Sequence, residues 1–285
     1  MQMSNTNPLI KHFRQPKLYI NLPSRGSFYP TSAIETTEDS NYPVLAMTAK
    51  DEIMMKTPDA LLNGQSTVNV IQSCMPNIKN AWMVPSIDID AILLAIRIAT
   101  YGDTMELTSH IPQLDEERTF ETNLRGQLDS LCASEYDPIF SKEDFTFEIH
   151  PLNYKTFTET ALKTFEEQRI FTVVNDDNMS ESEKLSKFSE SFAKLTDINI
   201  TQVFNSVKAI KFQQEDPVVD VNHITEFLSN ADAEIYKGLI QHIDNQRKKF
   251  SMQPLKATFN EEDMAKGAPD NFEIPITFDQ SNFFA

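Results

Sequence analysis

The sequence is poor in the residues that build catalytic or metal sites. Six glycines and two cysteines, Cys74 and Cys132, stand among 285 residues. Two cysteines make neither a disulfide framework nor a metal set, and the burial habit of cysteine predicts two reduced, interior thiols in a cytosolic chain. Basic residues are outnumbered, with 25 Lys and Arg against 42 Asp and Glu, a formal charge of −17. That balance argues against a general binder of nucleic acid or of an anionic membrane, since both need a basic surface. No apolar run is long enough to span a bilayer, and Met1 to Asn7 is polar, so neither membrane insertion nor a signal peptide is expected. His-Glu-x-x-His, a phosphate-cradling glycine loop and a Gly-x-Ser-x-Gly elbow are all missing. His12, His110, His150, His223 and His242 fall at no ligand or triad spacing. Asp51/Glu52, Asp88/Asp90 and Glu166/Glu167 sit at cap-like or helix-surface positions, and no acid–nucleophile pair stands out. The expectation is a protein without catalytic residues, cofactor or metal.

What is present centres on Met47 to Gly102. Ile87 to Ala99 is apolar on nearly every side, broken only by Asp88, Asp90 and Arg97, which predicts a helix buried inside a domain. Ser86 stands at the N-cap position, the two aspartates lie in the first turn where the dipole favours them, and Tyr101-Gly102 supplies the stop. Asp90 and Arg97, two turns apart, are expected to line one polar edge. Shorter helices precede it. Thr48 caps Ala49 to Lys56 with Asp51 closing a capping box, Thr57-Pro58 opens a second that Asn63-Gly64 ends, and Ser66 to Met75 carries a third.

Residues 1–17 read as a flexible arm with a basic cluster of Lys11, His12, Arg14 and Lys17. Leu18 to Leu22 reads as a strand, Pro23 to Gly26 as a tight turn with Gly26 at positive φ, Thr31 to Asn41 as a polar surface loop, and Pro43 to Met47 as a second strand. Beyond the buried helix, Asp103 to Thr108 and Arg118 to Thr122 form a hairpin, and residues 124–143 a short helix and connector. The boundary between halves falls near Ser141. Phe145, Phe147 and Ile149 alternate as in a strand. Tyr154, Phe157, Ala161 and Phe165 then line a helical stripe. Past the polar break Asn175 to Asn178, Leu185, Phe188, Phe192 and Leu195 line a second, expected to be the seam of a helix pair. Residues 199–212 suit either a helix or a strand. Asn222 caps a helix bearing Ile224, Phe227 and Leu228, and Ile235, Leu239 and Ile243 mark the next, with Arg247 to Lys249 at its negative end. Lys256 to Phe259 and Phe272 to Phe278 read as short strands around a polar loop, Glu261 to Asn271, with Pro275 marking a sheet edge. The Phe283-Phe284 pair must be covered, either by this chain or by a neighbouring subunit in which it is an anchor.

Leu22-Pro-Ser-Arg-Gly-Ser-Phe-Tyr-Pro30, Met47-Thr-Ala-Lys-Asp-Glu52, Thr57-Pro-Asp-Ala-Leu-Leu-Asn-Gly64 and Ile89 to Gly102 follow one another in this order. Over residues 18–130 this series resembles the baseplate hub family of T-even-type contractile-tailed bacteriophages (myoviruses), and Phe272 to Phe284 is similar to the ends of such proteins. The resemblance implies a structural or assembly role at the tail hub, played by association and not by covalent chemistry. Its implied partners are other hub or tape-measure proteins or further copies of the chain, met in the host cytoplasm during assembly or in the virion tail. Many relatives carry a Cys-Pro-x-Cys zinc knuckle near Ser109 to Gln113. Here His110 stands there alone, so the hairpin is expected to form without zinc.

The sequence therefore predicts a helix-dominated α+β protein. An arm over 1–17 leads to a module over 18–142 with flanking short strands. A multi-helix region over 143–285 ends in an edge strand and an aromatic tail. Two functions are expected to compete: a hub subunit retained in the particle, and a transient assembly chaperone with a groove for a partner helix among the 150–250 helices. Met54, Met55, Phe188, Phe192, Phe283 and Phe284 are the candidate partner contacts.

Overall fold

A computed structural model describes Leu9, residues 12–56, 64–173 (170–173 by backbone alone), 180–278 and 283–284. The helix expected over Thr57 to Asn63, the break at 175–178, Lys11 and the residues ahead of Leu9 lie outside the described residues. The elements run β1 (Pro16–Ile20), β2 (Tyr42–Leu45), α1 (Ala49–Met55), α2 (Gln65–Cys74), α3 (Ser86–Tyr101), β3 (Thr104–Ile111), β4 (Glu116–Asn123), α4 (Leu124–Ala133), β5 (Ile139–Lys142) and β6 (Phe145–Ile149). They continue with α5 (Tyr154–Val173), α6 (Glu181–Asn205), β7 (Val207–Phe212), α7 (Val221–Asn230), α8 (Ala233–Lys249), β8 (Leu255–Ala257), α9 (Glu261–Ala265) and β9 (Phe272–Ile274). This is the helix-dominated α+β class expected. Among the described residues the strands form small antiparallel sheets, β1-β2, β3-β4, β5-β6-β7 and β8-β9.

The first core surrounds α3, which is buried from Ile87 to Ala99 except at Asp90. Its apolar side chains meet β1, β2, α1, α2, β3 and α4, and Gly102 ends it at φ +91° as expected. The cap differs from expectation: Pro85 holds the N-cap position without a side-chain bond, and the Ser86 N–H is used instead by Leu152 O at 2.7 Å. Gly64 begins α2 at φ +74°. A Cβ there would lie 3.0 Å from Thr158 Cγ2, so both backbone conformation and close packing on α5 select glycine.

The second core joins β6 and β7 to α7 and α8 through Phe147, Ile149, Ile210, Ile224, Leu228, Ile235 and Leu239. The halves divide differently from the expected break near Ser141, which sits inside β5 paired with Thr146. The chain also crosses back. Ala257, Ile274, Ile276, Phe283 and Phe284 all pack in the first core, so the closing segment belongs there and not with the helices that precede it. Main-chain bonds join the halves beside the start of α3, where Tyr154 N–H reaches Val84 O at 2.8 Å and Trp82 stacks on Tyr154.

Other local expectations shift for identifiable reasons. Residues 199–212 are both things at once, helix to Asn205 and strand from Val207. Asp220, two residues ahead of the expected Asn222, caps α7 because its carboxylate accepts from both Asn222 N and His223 N. The polar loop after Phe259 contains α9, capped by Asn260. The surface loop over 31–41 sends Ala33 and Ile34 inward, where Ile34 bridges Ile78.

Candidate association surfaces

The motif-bearing half is held by buried polar contacts. Asp88 is fully buried and accepts from Ser24 N (2.7 Å), Ser24 Oγ (2.6 Å) and Tyr29 Oη (2.8 Å), tying the Leu22–Pro30 turn to the start of α3. Burial pushes its carboxyl up to about 6 and, together with the Asp88 charge, lifts the Tyr29 phenol well above its usual value. Asp88 is therefore neither the solvated nor the capping residue that its position suggested. Asp51 is both cap and hub: it closes the capping box with Thr48 and accepts from Ser73 Oγ at 2.9 Å. Arg14 joins them, donating to Ser73 O (2.5 Å), Ser73 Oγ (2.7 Å) and Ala46 O. Arg14 is thus a docked clamp where a free basic arm was expected, because three acceptors converge on one guanidinium.

Arg97 and Asp90 share no polar edge. Arg97 is buried, donates to Gly102 O and Thr104 O, and lies over the Tyr101 ring, while Asp90 accepts from Met252 N. Burial lowers the arginine and raises the aspartate from their ordinary pKa values. Arg118 grips Asp263 with two bonds of 2.5 and 2.7 Å, fastening α9 to the β3–β4 hairpin. Cys74 is buried and Cys132 half-buried, and burial pushes their thiols up to about 12 and about 11. Neither is an activated nucleophile. Among the described residues no cluster of three His, Cys, Asp or Glu stands at metal-binding geometry.

The six candidate contacts fall into two groups. Met55, Phe283 and Phe284 are buried in the first core, and Met54 packs against it. Tyr101 Oη donates to Phe284 O at 3.1 Å, and Phe283 packs edge-on against Phe278 and Phe284. The terminal pair is therefore covered by its own chain and is not an available anchor. Phe188 and Phe192 are the opposite case: they stack on each other and stand exposed on α6. Of the Leu185–Leu195 stripe expected to form the helix-pair seam, Leu195 is half-buried, while Leu185, Phe188 and Phe192 are more exposed. Among the buried or half-buried positions of the two helices are Thr160, Thr164 and Glu167 on α5 and Ser191, Leu195 and Ile198 on α6, and Lys194 pairs with Glu167 between them at 3.6 Å.

A cavity of about 310 Å³ lies where the two cores meet, between the start of α3, the β6–α5 link, α6 and α8. Tyr136, Phe157, Val203, Tyr236 and Ile240 line it with apolar surface, together with Asp244 and Arg247. His150 also lines it. Burial, with Lys208 nearby, lowers its pKa, so the imidazole is neutral at physiological pH, and its Nδ1 meets Pro151 O at 3.3 Å. Ser86 and Ser206 line the cavity too, and Ser206 Oγ donates to Gln202 O at 3.0 Å. The sequence reading missed these residues because they come from five separate elements and share no periodicity. No helix among the described residues is long and apolar enough to cross a membrane. No protein-family model, curated protein or solved structure matches the chain.

Proposed function

We propose that this chain is a structural or assembly component of a contractile phage tail baseplate hub, acting by protein–protein association without covalent catalysis. The observation that carries the reading is the convergence of three of the four resembling stretches on one core. Ser24 and Tyr29 of the first stretch bind Asp88, the Met47 N–H of the second donates to Thr100 Oγ1 of the last at 3.0 Å, and Thr48 and Asp51 form the capping box. Residues far apart in sequence thus form one physical unit, as expected of a heritable module. The large apolar side chains exposed on α6 suit a protein that works by fitting against others.

The transient-chaperone alternative draws on a different feature, the cavity among α5, α6 and α8, which has room for an inserted side chain of a hub or tape-measure protein. Mass spectrometry of purified particles tests both. Peptides of this chain at near-stoichiometric levels support a retained hub subunit. Their absence from particles that fail to assemble without the gene supports the chaperone. Normal particles formed without the gene would overturn both readings.

A further inference from the structure

A second cleft, sharing no residue with the junction cavity, lies on the second core. In the β6–β7 ladder Phe145 stands opposite Phe212 and Phe147 opposite Ile210, so the pleat puts these side chains on one face. Phe227 of α7 packs there as well. The Phe145 ring centre lies 5.0 Å from those of both Phe212 and Phe227, at tilts of 49° and 46°. All three rings are half-buried and line a cleft of about 700 Å³. Two further pieces of chain complete it. The β7–α7 loop folds back through paired main-chain bonds between Ile210 and Val218 (3.0 and 2.8 Å), and its Glu215 and Asp216 line the cleft. From α7 come His223, Glu226 and Asn230, at spacings of three and four. Glu215, Asp216 and Glu226 are exposed. Among the described residues the lining holds no lysine or arginine, and none of these three carboxylates is in an ion pair. The lysines of β7 do not serve them. Lys208 binds Glu148 at 2.7 Å, and Lys211, opposite Thr146, falls on the other face of the ladder.

We propose that this cleft is a docking site for an arginine-bearing segment of a partner protein, whose guanidinium lies against the phenylalanine rings and meets the carboxylates of Glu215, Asp216 and Glu226. Three observations select that occupant. The first is charge. Three carboxylates without a cation, on a chain of charge −17, attract a basic segment and repel an acidic one or a nucleic acid. The second is the rings. A cation is drawn to an aromatic face, and a guanidinium does this best beside carboxylates. Its plane stacks on a ring while its edge still donates in the fork geometry that a carboxylate accepts, and it is less tightly hydrated than an ammonium. The third is the apolar surface next to the acids. Val218 (42 % exposed) lines the cleft, and Val219 (64 %) and Val221 (68 %) follow it in the chain. A free cation makes no use of these side chains, whereas the residues on either side of an arginine in a peptide cover them. The inference rests on the proposed role in protein–protein association and names the chemistry of what associates. It holds equally for a retained subunit and for a chaperone.

Chemical-shift titration of the ¹⁵N-labelled full chain tests this. The probe is a short peptide with one arginine between two valines in a Gly-Ser sequence. Saturable shifts are expected in the β7–α7 loop and along α7, with a Kd below about 1 mM. The same peptide with citrulline, which keeps the shape of arginine without its charge, is expected to bind at least about fivefold more weakly, and free arginine likewise. Asp216→Lys is expected to weaken the arginine peptide about fivefold, and Phe212→Leu, which keeps an apolar side chain and removes the ring, about threefold. Asp216 is exposed, so that variant keeps the spectrum of the folded chain elsewhere. Glu117→Lys, on an exposed position of β4, makes the same change in net charge and is expected to leave the Kd within about twofold. An absence of shifts at the cleft overturns the proposal. So does equal binding of the citrulline peptide, equal binding of free arginine, or a loss with Glu117→Lys as large as that with Asp216→Lys. The titration uses purified chain and peptide alone, so its failure leaves the hub reading standing, and a failed particle test leaves this site standing.

Discussion

Replacing Asp88 by asparagine keeps the shape at the start of α3 while removing a buried charge. In the folded chain burial holds this carboxyl at about 6, even against the bonds that Ser24 and Tyr29 donate, whereas an unperturbed aspartate titrates at 3.8. Between those two values the folded state keeps a proton that the unfolded state has released. The contribution of the site is therefore fully present below 3.8 and is lost as pH rises through about 6. For this separation, acidification from pH 7.5 to 5 stabilises the wild type by about 1.4 kcal/mol, approaching about 3 kcal/mol at still lower pH. The amide variant cannot titrate. Its NH₂ group faces hydroxyls that can turn to accept, so its own cost is about 1 kcal/mol and independent of pH. Urea unfolding followed by the fluorescence of Trp82, which packs against the first core, measures both proteins at each pH. All other titrating groups are common to the pair and cancel. The difference between wild type and Asp88→Asn should move by about 1.4 kcal/mol in favour of the wild type at pH 5. Parallel pH profiles for the two proteins would refute the account of Asp88 as a charge held out of water.

Phe283 is fully buried, so Phe283→Ala should cost about 3–4 kcal/mol in chemical denaturation, while Phe192→Ala on the exposed stripe should change monomer stability by less than about 0.5 kcal/mol. Gly238→Ala should destabilise by about 1–3 kcal/mol, because its Cβ would come within 2.7 Å of the Phe140 ring. Gly126→Ala in the exposed first turn of α4 meets nothing within 4 Å and should instead stabilise by about 0.5–1 kcal/mol, measured in the same way. Arg118→Leu should speed amide exchange across α9. It should also flatten the loss of stability in acid, because the bonds from Arg118 hold Asp263 below its ordinary 3.8 and that support disappears as pH falls through the lowered value.

The long periodic segments were legible in advance. α3 reads as buried because apolar residues occupy every side of it, and the capping box of Thr48 and Asp51 forms as its local chemistry requires. The β3–β4 hairpin and the basic last turn of α8 appear where expected. The candidate contacts were read less well. One apolar, helically spaced pattern describes both the core-facing and the outward-facing sides of a helix, and Phe192 on α6 ended outside while Phe283 ended fully inside. Charge misled in the same way, since Asp88 and Arg97 sit on a buried helix and find partners that sequence spacing does not reveal.

Local sequence by itself determined most of the helices and hairpins and which side of each carries its apolar residues, because capping, periodicity and glycine conformation act within a few residues. Tertiary structure alone decided which apolar sides are covered, which carboxylates lose water, and that the last residues return to the first core. Those outcomes depend on contacts such as Asp88 with Ser24 and Tyr101 with Phe284, made across 64 and 183 residues of chain. Burial and desolvation are properties of what packs around a group, and only the assembled fold supplies that surrounding.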